Sequence, residues 1–187
     1  MWLYHSHVDE LRDVASGLFG AIVVTARGKA RPDGHPADVD REFVNLMITI
    51  NENESWYLDE NIRKYTTDPN GVNKRESIPE GSGGIVAPGL GRGFADVNLC
   101  YTINGYMFGS MPMMTMKKGE HVRWYLLALG ESNNFHTPHW HGNSVMQGAH
   151  RTDVVPLSPG PNGNCGHDHR QSRHLALSLP HQRPYGG

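Results

Sequence analysis

Three runs rich in β-branched and aromatic residues commit this chain to strands: Leu18 to Thr25 (LFGAIVVT), Glu42 to Ile50 (EFVNLMITI) and His121 to Leu129 (HVRWYLLAL). Side chains of this kind lose rotamer freedom in a helix and pack well on a pleated surface. Between the runs, 22 glycines and 12 prolines interrupt the chain, which favours a loop-rich, mostly β protein over a helix bundle. Trp2 to His7 alternates in the same sense and pairs naturally with Leu18 to Thr25 through a short connection. The strands before residue 51 are too few to close a sandwich alone.

Asn51 to Tyr65 (NENESWYLDENIRKY) changes character, with Ser55 as an expected N-cap and charged Glu60, Arg63 and Lys64 suiting a short helix. A polar stretch over 66–95, broken by Gly81-Ser82-Gly83-Gly84, reads as a connection. A second unit opens with Tyr101 to Phe108 (YTINGYMF), where Asn104-Gly105 signals a hairpin turn. The expected organisation is a first partial domain over 1–55, a linker with a short helix over 56–95, a second partial domain over 96–160, and an aberrant, disordered tail over 161–187.

The net charge is −2 with scattered Lys and Arg, so neither a nucleic acid nor an anionic membrane surface is an expected partner. No apolar run is long enough to cross a bilayer. Met1 to His5 reads as the middle of a strand, so a secretory leader is expected upstream of this sequence. Two cysteines, Cys100 and Cys165, provide neither a disulfide framework nor a Cys-rich zinc site.

Histidine is the outlier, with 12 residues and several tight clusters, and clustered imidazoles suggest a metal. In an extended His136-Thr137-Pro138-His139-Trp140-His141, alternate residues share a face. His139 and His141 then project together while His136 points elsewhere, so one segment can feed two centres. His5-Ser6-His7 is a second alternating pair. Imidazole suits copper and zinc equally, so the ligand type leaves the metal open. His35, His121 and His150 stand singly and read as exposed or hydrogen-bonded rings. Met107, Met111, Met113, Met114 and Met116 read as adaptable core rather than a Cu(I) stripe.

His136-x-x-His139-x-His141 followed by Gly142, with WLYHSHVDE upstream, resembles the multicopper oxidases. The strings SGLFGAIVVT, NENESWYLDENIRKY, INGYMFG and HTPHWHGN are similar to the ceruloplasmin and hephaestin branch, over Trp2 to about Gly160. The resemblance implies a cupredoxin-like, plastocyanin-like Greek-key β-sandwich with copper inside one domain and at a domain interface. It implies His136 as a type 1 copper ligand, His139 as a type 2 ligand and His141 as a type 3 ligand, with His5 and His7 completing part of the type 3 pair. The implied activity is laccase-like or ferroxidase-like. A small-molecule or metal-ion reductant is oxidised one electron at a time, and dioxygen is reduced to water. An extracellular or periplasmic, secreted parent is implied, and relatives of this kind include homo-oligomers.

Two family motifs are not found: an upstream His-x-His-Gly and a downstream His-Cys-His. Neither Cys100 nor Cys165 is flanked by histidine. Read one base later in each codon, Arg170 to His181 (RQSRHLALSLPH) is compatible with DNPGTWLYHCHI, so a shift of reading frame near Gly160 or Pro161 is expected. The chain is therefore expected to be a fragment, inactive alone. Two rivals stand beside the oxidase: a non-catalytic copper-binding or storage module, and a zinc hydrolase that would need Asp9, Glu10 or Asp153 close to the histidine pairs.

Overall fold

The computed structural model describes residues 1–74, 93–130 and 135–158, and the backbone of 173–178. The fold is all-β, built as one sheet packed on another. Strands β1 (Trp2–His5) and β2 (Phe19–Ile22) form an antiparallel pair, with His5 opposite Phe19. Their connection is longer than the sequence suggests, because it contains helix α1 (Glu10–Ala15), whose N-cap Asp9 accepts from the Arg12 amide at 3.3 Å.

The larger sheet has six strands in the order β4-β3-β5-β8-β6-β7, namely β3 (Arg41–Asn51), β4 (Leu99–Ile103), β5 (His121–Leu129), β6 (Val145–Gln147), β7 (His150–Thr152) and β8 (Arg173–Ser178). The central pair, β3 and β5, runs parallel from Arg41 opposite Val122 to Ile48 opposite Leu129. Strands buried on both faces read as nearly continuous apolar runs, as EFVNLMITI and HVRWYLLAL do.

The two faces carry different cores. On one, Leu46, Ile48, Leu127 and Leu129 pack against Leu3, Phe19 and Ala21 of the β1-β2 pair. On the other, Met47, Val122, Trp124, Leu126 and Ala128 pack against Val145, Val155, Leu157 and Trp140. Met114 and Met116 join this second core. Asn104 and Gly105 both take positive φ, 53° and 82°, in the turn that closes Ile103 onto Tyr106.

Three expectations are corrected here. β3 was assigned to a first domain ending at residue 55, yet it hydrogen-bonds β4 and β5 of the second, so it belongs to their sheet. Sequence order misled because a parallel partner needs a long crossover. The tail over 161–187 was expected to be disordered, yet Arg173–Ser178 form β8, antiparallel to β5 and β6. The rest of that tail and the shifted His-Cys-His reading lie outside the described residues. Helix α2 (Leu58–Tyr65) begins after Tyr57, not at Ser55, which instead closes a 3-10 turn over Glu52–Glu54. The short helix α3 (Phe94–Val97) leads into β4.

Candidate metal centre

The segment from His136 to Trp140 is held extended by backbone bonds to 153–157. His136 donates to the Leu157 carbonyl at 3.0 Å and accepts from the Leu157 amide at 2.8 Å. Pro138 accepts from Val155 at 3.0 Å, and Trp140 donates to Asp153 at 3.1 Å. Pro138 has no amide to give, so its carbonyl carries that rung alone. With the register fixed, side chains alternate: 136, 138 and 140 turn inward, while 137, 139 and 141 face out.

His136 points into a cavity of about 540 Å³ whose walls include Asn45, Met47, Met114, Trp124 and Trp140. Its Nε2 is buried and has no hydrogen-bond partner, a state shared among the described residues only by Trp124 Nε1. Burial disfavours the imidazolium and lowers the His136 pKa, keeping the ring in the neutral form that binds metals. Trp140 braces the segment from below, edge-on to Trp124 at 5.6 Å, and Trp124 in turn stacks near Phe43 at 4.8 Å.

His139 and His141 stand exposed on the outer side with ring centroids 4.8 Å apart. His5 and His7 form the matching pair at the end of β1, 4.6 Å apart. The His5 side chain is only 4 % exposed, and its Nδ1 meets the Ser6 carbonyl at 2.9 Å and Glu10 Oε1 at 3.5 Å. Each pair offers two imidazole nitrogen donors on one side, which fits half of a copper centre.

The two pairs do not meet within this chain. Among the described residues no group of three or more His, Cys, Asp or Glu side chains could hold a metal ion. β1 lies on the face of Leu46 and Leu127, whereas Trp140 packs on the face of Met47 and Leu126, so the larger sheet separates them. The expected convergence of positions 5, 7, 139 and 141 on one shared centre is therefore not found inside the molecule. Among the described residues no thiolate stands beside His136 either: Cys100 is buried opposite Ile50, on the face away from His136. Its thiol is pushed up by burial and by Glu52. The imidazoles fit copper; a cysteine-bound blue site does not form among the described residues.

His35 is exposed and bonded to Glu42 Oε2 at 2.6 Å, while His121 and His150 are exposed. Asp13 and Trp56, which the structure ties to the first histidine pair, carry no prominent signal in the sequence. Ser6, a hydroxyl between two histidines, needed a partner, and that was the available signal.

No known family's sequence profile matches the chain. It is 38% identical over 159 residues to the ferroxidase HEPHL1 of Mus musculus, covering 84% of this chain and 12% of that protein. Hephaestin of Rattus norvegicus is 38% identical over 160 residues, covering 84% of this chain and 12% of its own length. Ceruloplasmin of Mus musculus is 33% identical over 157 residues, covering 84% and 13%. The chain belongs to the multicopper oxidase family. It spans about one eighth of the length of these multicopper relatives. A crystal structure described as that of a multicopper oxidase aligns over 95% of this chain and 46% of its own, with 23% identity and a TM-score of 0.49. No described helix is long and apolar enough to cross a membrane.

Proposed function

We propose that this chain is part of a copper-dependent oxidase, coupling one-electron oxidation of a reductant to reduction of dioxygen to water, and that it is inactive alone. The observation that carries the reading is the alternation along His136 to His141, with one imidazole turned inward and two turned out. In this reading His136 is a ligand of an electron-accepting copper, and His139 and His141 are ligands of an oxygen-reducing cluster. Copper, when bound, supplies the redox chemistry; the chain holds the nitrogens. Three residues of extended backbone separate the two roles, a span of roughly 10 Å. Trp140 and the rungs to 153–157 keep that span rigid.

The opposite placement of the pairs assigns them to different contacts. His139 and His141 await a partner surface bearing its own imidazole pair, and His5 and His7 await another, from a second copy or a further domain. We place the boundary between the two units within 23–40, between β2 and β3, because β3 shares its sheet with β4 and β5. An extracellular or periplasmic location and a ferroxidase-like or laccase-like substrate follow the relatives and belong to the proposal.

The rival reading is a non-catalytic copper-binding module, favoured by the separation of Cys100 from His136. Oxygen uptake by the copper-loaded chain with ferrous iron or a phenol, measured across protein concentration, separates the readings. Copper binding through His139 and His141, with no uptake from this chain at any concentration and uptake only when domains bearing the missing ligands are supplied, is the expected result. Copper binding undiminished by His139→Ala with His141→Ala would remove the proposal.

A further inference from the structure

The segment that carries His5, the last residue of β1, and His7 just beyond it is not held by sheet bonds alone. Ser6 lies between the two rings, and its hydroxyl donates to Asp13 Oδ2 at 2.5 Å. The same oxygen accepts from the Asp9 amide at 3.3 Å. The other carboxylate oxygen, Oδ1, accepts from the indole Nε1 of Trp56 at 2.9 Å. Trp56 follows β3 in the chain, just ahead of helix α2, and its own amide donates to Ser16 Oγ at 3.0 Å. Ser16 Oγ also meets Ser55 Oγ at 3.1 Å, and the Arg12 guanidinium sits over the Trp56 ring at 4.7 Å. One carboxylate thus joins the hydroxyl between two candidate ligands to the neighbouring unit.

The geometry has a consequence for the rings. Ser6 follows the last residue of β1 and precedes His7, so anchoring its hydroxyl fixes the short backbone link between the two residues that carry the imidazoles. Metal affinity depends on such outer partners as well as on the ligands, because a pair free to turn must be ordered when the ion binds. Capping of α1 accounts for only part of what Asp13 does. The Asp9 amide uses one oxygen, while Oδ1 is taken by a residue 43 positions away.

We infer that Asp13 is a positioning residue for the His5 and His7 pair, holding it in the metal-ready orientation through Ser6 and making that orientation depend on the docking of Trp56. This rests on the reading of His5 and His7 as copper ligands. It assigns the docking contact between the units a role in tuning the first centre.

The test uses the full chain carrying His139→Ala and His141→Ala, so that Cu(II) at the first pair is read without the second. Cu(II) affinity and the electron paramagnetic resonance spectrum are measured for this background and after adding Trp56→Phe, Ser6→Ala or Asp13→Asn. Trp56→Phe keeps an aromatic ring and the α1 cap while removing the Nε1 bond to Oδ1, so the fold survives. Each addition is expected to weaken Cu(II) roughly ten-fold and to alter the copper hyperfine splitting, the range typical of lost outer partners. Combining Ser6→Ala with Asp13→Asn should add little to either alone. A background that binds Cu(II) at His5 and His7 but is indifferent to all three changes overturns this inference and leaves the ligand reading standing. A background in which His5→Ala with His7→Ala also changes nothing overturns both.

Discussion

Arg41 at the start of β3 and Glu120 in the turn before β5 form a two-bond ion pair, Nε to Oε2 at 2.9 Å and Nη2 to Oε1 at 3.0 Å. The Lys117 amide donates to the same carboxylate at 2.8 Å. Bidentate geometry is the strong form of this contact, and it pins the entry of both central strands at one point. The Glu120 carboxyl falls from an ordinary 4.5 to about 2, first through Arg41 and then through the Lys117 amide. A lowered folded pKa means the unfolded chain takes up protons first. The contribution is complete above about 4.5 and is lost as pH falls toward 2. Urea midpoints followed from pH 6 down should drop more steeply for the native chain than for Glu120→Gln, with the two curves meeting near the bottom. Parallel curves would show that the pair carries no stability.

How far the sequence foretold this arrangement depends on the range of the interaction. Local signals were legible: the apolar runs of β3 and β5, the positive-φ turn at Asn104 and Gly105, and the outward pairing of His139 and His141 all follow from neighbouring residues. The partner of β3 was not legible. A parallel match of Phe43 with Trp124 is separated by a crossover that no local pattern encodes. The same blindness explains why His5 and His139 were expected to converge. Both are alternating pairs in sequence, and only the packing of Leu3 on Leu46 and Leu127, against Trp140 on Met47, puts the sheet between them.

Leu126 is fully buried at the centre of β5, in the core that supports Trp124 and the cavity beneath His136. Leu126→Ala should destabilise the chain by about 2–5 kcal/mol, through lost burial and the void left behind. Val44, on β3 but 38 % exposed, should lose far less as Val44→Ala. Equilibrium unfolding in urea reads both, and comparable losses at the two positions would contradict the burial pattern.

Tyr125 donates its hydroxyl to Glu42 Oε1 from within the sheet, and its pKa is pushed up to about 12 by burial first and by Glu42 second. The raised value reverses the sign found for Glu120. The contribution is present below the ordinary value of 10 and is lost as pH rises through about 12. In a spectrophotometric titration, one tyrosine should ionise well after the exposed ones, and Tyr125→Phe should remove that late step alone. A native titration with no late step would place the hydroxyl in water.

Cys100, the free cysteine among the described residues, tests whether the described part of the molecule can make a thiolate-copper site. It faces the side of β4 shared with Ile50, while His136 opens into the cavity on the opposite face, so moving one to the other would require turning the strand over. Burial and Glu52 both favour the protonated thiol, so the nucleophilic form is scarce at neutral pH. Native protein should react with a thiol reagent at Cys100 far more slowly than urea-unfolded protein. Copper loading should leave that reactivity unchanged and give no intense thiolate-to-copper absorption, with or without Cys100→Ser. An intense band that disappears in Cys100→Ser would mean that copper recruits the thiol by rearranging β4, and that the separation of the two faces is not fixed.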